Sequence, residues 1–212
     1  MITMEKFTSA DLETMPDDGS IYEIIEGELY VSRAPGYEHQ YTCGRLFRFI
    51  DEWNDRLRLG VVFINPGLIL AEVDYVIPDV VWISHERFEN STDGAGHLIS
   101  PPELVIEVLS PGKLNEYRDR QSKLDLYSRC GVQEYWIVDW MRREVNIYRR
   151  EGEQLVQTST LTAQDQLEIP LLPGFTCRVE DLFFALPIPK SELKSALSPL
   201  IMKLPFFAAP LR

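Results

Sequence analysis

Alternating apolar and polar positions predict a chain rich in short strands. In the first half of the chain the predicted strands cover residues 21–25, 28–31, 61–64, 68–73 and 75–84. The pair Glu26-Gly27 joins the first two runs as a tight hairpin. The turn Asn65-Pro66-Gly67 predicts a second hairpin from the next two runs.

Two further stretches have helical spacing. A helix is predicted to start near His39, because apolar residues then recur every three or four positions and form one face. These residues are Cys43, Leu46, Phe47, Ile50 and Trp53. A second helix is predicted over residues 115–130, since Gly131 suits the left-handed position that ends a helix.

Residues 103–110 predict a central strand, because they are apolar on both faces apart from Glu107. More strands follow over residues 132–139 and 144–149. This order predicts an α/β fold of the α+β type. It has a mixed β-sheet flanked by helices, an N-terminal β-hairpin and a C-terminal β extension. We expect one domain over residues 1–186, and in residues 187–212 a tail that packs on this subunit or a neighbour.

Composition limits the class of protein. The chain has 212 residues, 45% of them hydrophobic, which is enough for one substantial core. No run approaches the roughly 20 apolar residues of a membrane helix, and no secretory signal is recognised at the N-terminus. The three cysteines lack a C-x-x-C spacing, which indicates a reducing compartment and argues against a cysteine-based zinc site. We therefore expect a cytoplasmic protein without membrane association.

The net charge of −12 argues against a protein that binds nucleic acid through its overall field. Two local basic patches, in residues 118–129 and 142–150, are compatible with a local basic groove. A solvated helix or hairpin surface explains both patches equally well.

Asp79 and Glu107 are the two acidic residues set inside apolar β-runs. Burying a carboxylate without a partner is costly, so each needs an internal ion pair or a bound cation. Two carboxylates on adjacent strands repel each other unless a divalent cation lies between them. Oxygen ligands of this kind suit Mg²⁺ or Mn²⁺.

The helix after Glu107 carries Asp119, Lys123 and Tyr127 at i, i+4 and i+8, so the three share one face. If this face turns toward the end of the preceding strand, the lysine can stabilise charge that develops on a phosphate. The alternative is an ordinary surface pair of Asp119 with Lys123, worth only about 0.3–0.5 kcal/mol.

Over residues 8–183 the sequence resembles the Uma-type family of restriction endonucleases. The motifs that carry the resemblance are residues 22–28, Ala34-Pro35 with His39, Pro78-Asp79-Val80, residues 102–110, the trio Asp119, Lys123 and Tyr127, and residues 131–139 and 172–175. The resemblance implies the PD-(D/E)XK nuclease fold and a Mg²⁺-dependent phosphodiesterase site.

Within that resemblance, Asp79 matches the first acidic ligand and Glu107 the second, and the backbone carbonyl of Val108 is the third metal ligand. Leu109 stands where the family pattern has a lysine, and Lys123 is the natural substitute. The supporting residues are Glu23 as an additional acid, His39 as a contact to phosphate or water, Asp119 and Tyr127. A plain helix histidine remains an alternative for His39.

These observations predict an endonuclease that uses Mg²⁺ or Mn²⁺ to cut DNA, double-stranded or branched. The alternative is a catalytically inactive module of the same fold that binds nucleic acid or protein, with a homodimer as one form. A different phosphoesterase on the same site is a third reading. A serine hydrolase has no support, because the chain lacks a Gly-x-Ser-x-Gly motif.

Overall fold

A computed structural model describes residues 6–185, so the predicted tail lies outside the described residues. The strands are β1 (Ile21–Ile25), β2 (Glu28–Ser32), β3 (Gly60–Ile64), β4 (Leu68–Ala71), β5 (Asp74–Val76), β6 (Val80–Ser84), β7 (Leu104–Val108), β8 (Glu134–Asp139), β9 (Glu144–Glu151), β10 (Gln154–Thr162), β11 (Gln166–Glu168) and β12 (Thr176–Arg178). The helices are α1 (Tyr37–Leu57), α2 (His85–Phe88), α3 (Lys113–Tyr117) and α4 (Lys123–Cys130), with 3-10 turns at Ser9–Thr14 and Val179–Leu182.

A six-stranded sheet forms the centre of the fold, in the order β10-β9-β8-β7-β6-β3. Strands β7 and β8 run parallel, and the other neighbours are antiparallel. A second, antiparallel sheet has the order β2-β1-β5-β4, and β11 pairs with β12 as a separate ribbon. The mixed sheet flanked by helices, the N-terminal hairpin and the C-terminal β extension agree with the sequence prediction.

Helices cover both faces of the six-stranded sheet. On one face α1 buries the predicted apolar residues Cys43, Leu46, Ile50 and Trp53 against the sheet and the C-terminal ribbon. On the other face α4 packs Leu126 and Tyr127 against the sheet. Strands β7 and β8 are fully buried, as expected of strands covered on both sides. Among the described residues, no helix combines the length and apolarity needed to cross a bilayer.

The predicted second hairpin is wrong. Strand β3 pairs with β6 at the edge of the six-stranded sheet, whereas β4 pairs with β5 in the smaller one. The predicted β-run of residues 75–84 is also divided between the two sheets as β5 and β6. Pro78 lies at the crossing point, and it lacks the N–H that a continuous strand would use in its ladder.

The predicted helix of residues 115–130 forms three pieces. Between α3 and α4, residues Arg118–Ser122 wind as a π-helix, which takes more residues per turn than an α-helix. Gly131 ends α4 in the predicted left-handed conformation, with φ of 92°. The extra residue in the turn sets how the side chains of α3 and α4 are rotated relative to each other.

Candidate active site

Asp79 directly precedes β6 and Glu107 lies in β7, at the same end of this strand pair. The register pairs Val80 with Ile106, and continuing it by one residue brings Asp79 to Glu107. The Val108 backbone N–H donates to Asp79 Oδ2 at 2.7 Å. The antiparallel register is therefore what brings the two predicted acids together.

Glu107 is 3% exposed and accepts two side-chain hydrogen bonds. Lys123 Nζ and Tyr127 O–H both donate to its Oε1, each at 2.8 Å. No side chain of the described residues donates to its other oxygen, Oε2, and this atom is not fully buried. The second oxygen of Glu107 is therefore directed to the cleft that the residue lines.

Lys123 joins the two sheets. It is 1% exposed, and its ammonium lies 2.8 Å from Glu107 Oε1 and 2.8 Å from Glu23 Oε1. Asp119 Oδ1 lies 4.0 Å away. The structure thus brings Lys123 to Glu107, Glu23 and Asp119, which excludes the surface pair considered from the sequence.

Arg118 is a member of the site that sequence reasoning missed. Its guanidinium contacts Glu23 at 3.3 Å and Asp119 at 3.0 Å, and it donates to Ser32 Oγ at 2.7 Å. It stands in a run of basic residues that is typical of a solvated helix, so its residue type did not distinguish it from a surface residue. Its position directly before Asp119 was the one available signal.

His39 connects Asp79 to the core of α1. Its Nε2 lies 3.3 Å from Asp79 Oδ2, and its Nδ1 lies 3.4 Å from Cys43 Sγ. Because α1 begins at Tyr37, these contacts come from its first two turns. Both ring nitrogens of His39 are therefore engaged by protein groups.

Several groups of the cluster have raised pKa values. Burial, together with the nearby Asp79, Asp119 and Glu23 carboxylates, raises the pKa of Glu107 to about 8 despite Lys123. Burial also raises the pKa of Asp119. For His39, burial lowers the pKa, but Asp79 and the Val108 backbone outweigh it, so the net shift is upward. Burial of several carboxylates close together thus favours the protonated form of Glu107 and Asp119.

Two sets of side chains are candidates for a metal. The ligand atoms of His39, Cys43 and Asp79 lie within 4.8 Å of one another. Burial raises the pKa of Cys43 well above its usual range, and metal ligation needs a thiolate and a neutral imidazole. This trio is better described as a hydrogen-bonded chain that holds Asp79.

The Asp79–Glu107 pair fits a hard divalent cation better. Both acids line the cleft together with Val108. The surplus of buried carboxylates takes up protons, and a divalent cation that binds carboxylates releases such protons. Carboxylate and carbonyl oxygens are also the ligands that Mg²⁺ and Mn²⁺ prefer.

The cleft has a volume of about 340 Å³ and lies between the small sheet, the start of α1 and the β7–α3 loop. Six of the residues predicted from the sequence line it: Glu23, His39, Asp79, Glu107, Val108 and Lys123. Asp119 and Tyr127 lie behind this surface and contact Lys123 and Glu107. The predicted residues therefore divide into those that face the cleft and those that support them.

Known proteins were compared with the chain by sequence and by structure. Residues 9–180 match the sequence model of the Uma2 family, described as "Putative restriction endonuclease". A crystal structure from Anabaena variabilis, titled a "putative nuclease belonging to DUF820", is similar to this chain in fold. Its TM-score is 0.66 at 17% identity, over 84% of this chain and 97% of that one. A search of curated proteins gave no match.

The family match spans most of the chain, from the first 3-10 turn to the last. The similar crystal structure supports the fold independently of the sequence match. The chain belongs to the Uma2 family of restriction endonuclease-like proteins.

Proposed function

We propose that this chain is a Mg²⁺-dependent endonuclease that hydrolyses phosphodiester bonds in DNA. The observation that carries the proposal is that Asp79 and Glu107 line one cleft, with Lys123 at 2.8 Å from Glu107. Two carboxylates and a lysine on a cleft surface supply ligands for a divalent cation and a positive charge for a phosphate.

Asp79, Glu107 and the Val108 carbonyl would hold the metal, with Mn²⁺ as the substitute for Mg²⁺. A bound divalent cation would supply Lewis acidity and a more acidic water at the phosphorus. Asp79 keeps its orientation because the Val108 N–H and His39 bind the same oxygen, Oδ2. Its second oxygen is then available to a ligand in the cleft.

Lys123 has two tasks in this proposal. Its ammonium orients Glu107 through Oε1, which leaves Oε2 for a ligand. It also lines the cleft, where its positive charge stabilises charge that develops on the phosphate. The lysine stays protonated, because Glu107, Glu23 and Asp119 together raise its pKa above the ordinary value against the effect of burial.

The test is to incubate the protein with Mg²⁺ or Mn²⁺ and single-stranded, supercoiled or branched DNA. We expect cleavage by the wild type and none by Asp79→Ala. Asp55→Ala, an exposed position in α1, is the matched control and should cut normally. Cleavage that survives Asp79→Ala would contradict the site assignment.

The alternative is a catalytically inactive module of the same fold that binds nucleic acid or protein. The observation in its favour is Leu109, which is fully buried at the position where the family pattern has a lysine. Binding of Mn²⁺ without cleavage of any of the three DNA forms would support this alternative.

A further inference from the structure

The cleft has a charged floor and an apolar wall. Side chains on the floor are ionisable, whereas the wall is formed by aliphatic and proline residues. The wall residues are Ile21, Val31, Pro35, Ile77 and Pro111. A phosphodiester group needs only the floor. The wall is therefore suited to another, apolar part of the same substrate.

Val31 in the cleft wall and Leu114, the residue before the cleft residue Asn115, are large aliphatic side chains exposed to solvent. Val31 lines the cleft from β2 and is 57% exposed. Leu114 in α3 is 84% exposed and lies one turn before Arg118, which lines the cleft. Because i and i+4 share a helix face, Leu114 lies on the same face of the helix as Arg118. Val31 thus continues the apolar wall of the cleft out to solvent.

The positive charge that the cleft offers is small. Arg118 and Lys123 are already paired with carboxylates. Arg33 also lines the cleft and is exposed, and it forms no ion pair with any residue of the described chain. A protein that holds a duplex by its backbones neutralises many phosphates. One free arginine beside an apolar wall fits a substrate held partly by its bases.

From these contacts we propose that the cleft binds an unpaired nucleotide, in a single strand or a flap. Its base would lie against Val31 and Leu114, its phosphate at Asp79 and Glu107, and a neighbouring phosphate on Arg33. In a duplex the base faces are stacked on each other and cannot contact an apolar wall. The inference rests on the proposed function and adds the class of substrate to it.

The size of the cleft agrees with this proposal. About 340 Å³ is near the lower end of the roughly 300–1,000 Å³ typical of small-ligand pockets. Proteins that bind single strands in general combine a cationic contact to the backbone with base stacking on exposed side chains. Here aliphatic side chains take the place of the usual aromatic ones.

The experiment measures equilibrium binding of the full chain to a short fluorescein-labelled oligonucleotide by anisotropy. Ca²⁺ replaces Mg²⁺, because it accepts looser oxygen geometry and slows turnover. The arms are the single strand as DNA, the single strand as RNA, and the blunt DNA duplex of the same sequence. The variants are Leu114→Asn and Val31→Thr. Their controls are Leu57→Asn and Val156→Thr, at exposed apolar positions at the end of α1 and in β10, with no neighbouring residue in the cleft lining.

We expect at least one single strand to bind about tenfold more tightly than the duplex. Leu114→Asn should weaken single-strand binding about fivefold, close to the lower limit of the effect of losing one aromatic stacking partner. Leu57→Asn should leave it unchanged. The DNA and RNA arms show which sugar the cleft accepts. Thermal melts establish that each variant is folded.

Equal or tighter binding of the duplex would overturn the inference, as would equal effects of Leu114→Asn and Leu57→Asn. A wild-type dimer that Leu114→Asn converts to a monomer would also overturn it, since Leu114 would then bind a second copy of the chain. Asp79-dependent cleavage of duplex alone refutes this inference and leaves the proposed function intact. Selective single-strand binding without any cleavage would support this inference and contradict the proposed function.

Discussion

Lys123 Nζ lies 2.8 Å from Glu107 Oε1 and equally far from Glu23 Oε1, so one buried ammonium connects the six-stranded sheet to the smaller one. Glu107 belongs to β7 and Glu23 to β1, and both are almost fully buried. The contact therefore joins the site to the packing of the two sheets.

Replacing Lys123 by Met should destabilise the protein by about 3–5 kcal/mol, because it leaves buried carboxylates without their cation. Urea unfolding followed by circular dichroism measures the loss. Lys113→Met, at an exposed position in α3, is the control and should change stability little. Adding Glu107→Gln to Lys123→Met should restore part of the loss. A loss below 1 kcal/mol would show that the lysine is not needed to balance the carboxylates.

A divalent cation should stabilise the protein through Asp79 and Glu107. At 100 times its dissociation constant, a ligand that binds only the folded state adds about 2.7 kcal/mol. We expect a rise in the melting temperature with Mn²⁺ for the wild type. Neither Asp79→Asn nor Glu107→Gln should show it. A rise that His39→Gln and Cys43→Ala abolish, and Glu107→Gln does not, would assign the cation to the other trio.

Stability without metal should fall with rising pH through Glu107. Burial raises its pKa to about 8, whereas an unfolded chain has an ordinary value of about 4.3. Between these values the folded state holds a proton that the unfolded state has released. The contribution of Glu107 to the free energy of unfolding is therefore lost as the pH rises through this window.

The measurement is the unfolding free energy of wild type and Glu107→Gln between pH 5 and pH 8, a window set by those two pKa values. The difference between the two proteins should shift in favour of the Gln variant as the pH rises. Saturating Mn²⁺ should stabilise the wild type more at pH 8 than at pH 6, since binding releases the proton. Glu52→Gln, at an exposed position, should run parallel to the wild type. Parallel curves for Glu107→Gln would contradict the prediction.

Arg118→Lys should weaken the site although it keeps the charge. The guanidinium contacts Glu23, Asp119 and Ser32 together, and an ammonium cannot reproduce this planar geometry. We expect a loss of about 2 kcal/mol in unfolding free energy, in the range for hydrogen bonds to charged groups, and weaker Mn²⁺ binding. Arg178→Lys changes a more exposed pair with Glu180, which is worth about 0–1 kcal/mol. Equal effects of the two substitutions would show that Arg118 contributes charge alone.

Residue type and pattern predicted much of the site. Asp79 and Glu107 were recognisable because acids inside apolar strands need partners. The common face of Asp119, Lys123 and Tyr127 followed from helical spacing. The contact of Glu23 with Lys123 joins residues 100 positions apart, one in β1 and one in α4, and the choice of Glu23 depended on resemblance alone. Periodicity contains no information about such a contact.

The strands were easier to predict than their partners. Alternation identified residues 61–64 and 68–73 as β-structure, but it did not show that they separate into two sheets. A short turn between two strands normally makes a hairpin, so local reasoning favoured the wrong pairing. Burial favours the observed pairing of β4 with β5, since Leu68 and Val76 are completely buried in the second sheet.

The π-helical turn Arg118–Ser122 makes the two halves of one helix separable by a single deletion. Leu126 and Tyr127 fix α4 against the sheet. Removing Gln121 would let an ordinary α-helix form, and everything before it would rotate by about 100°. Lys123 would stay beside Glu107 while Arg118 and Leu114 swung away from the cleft. Loss of this one residue would thus separate the Arg118 and Leu114 side chains from the Asp79–Glu107 centre.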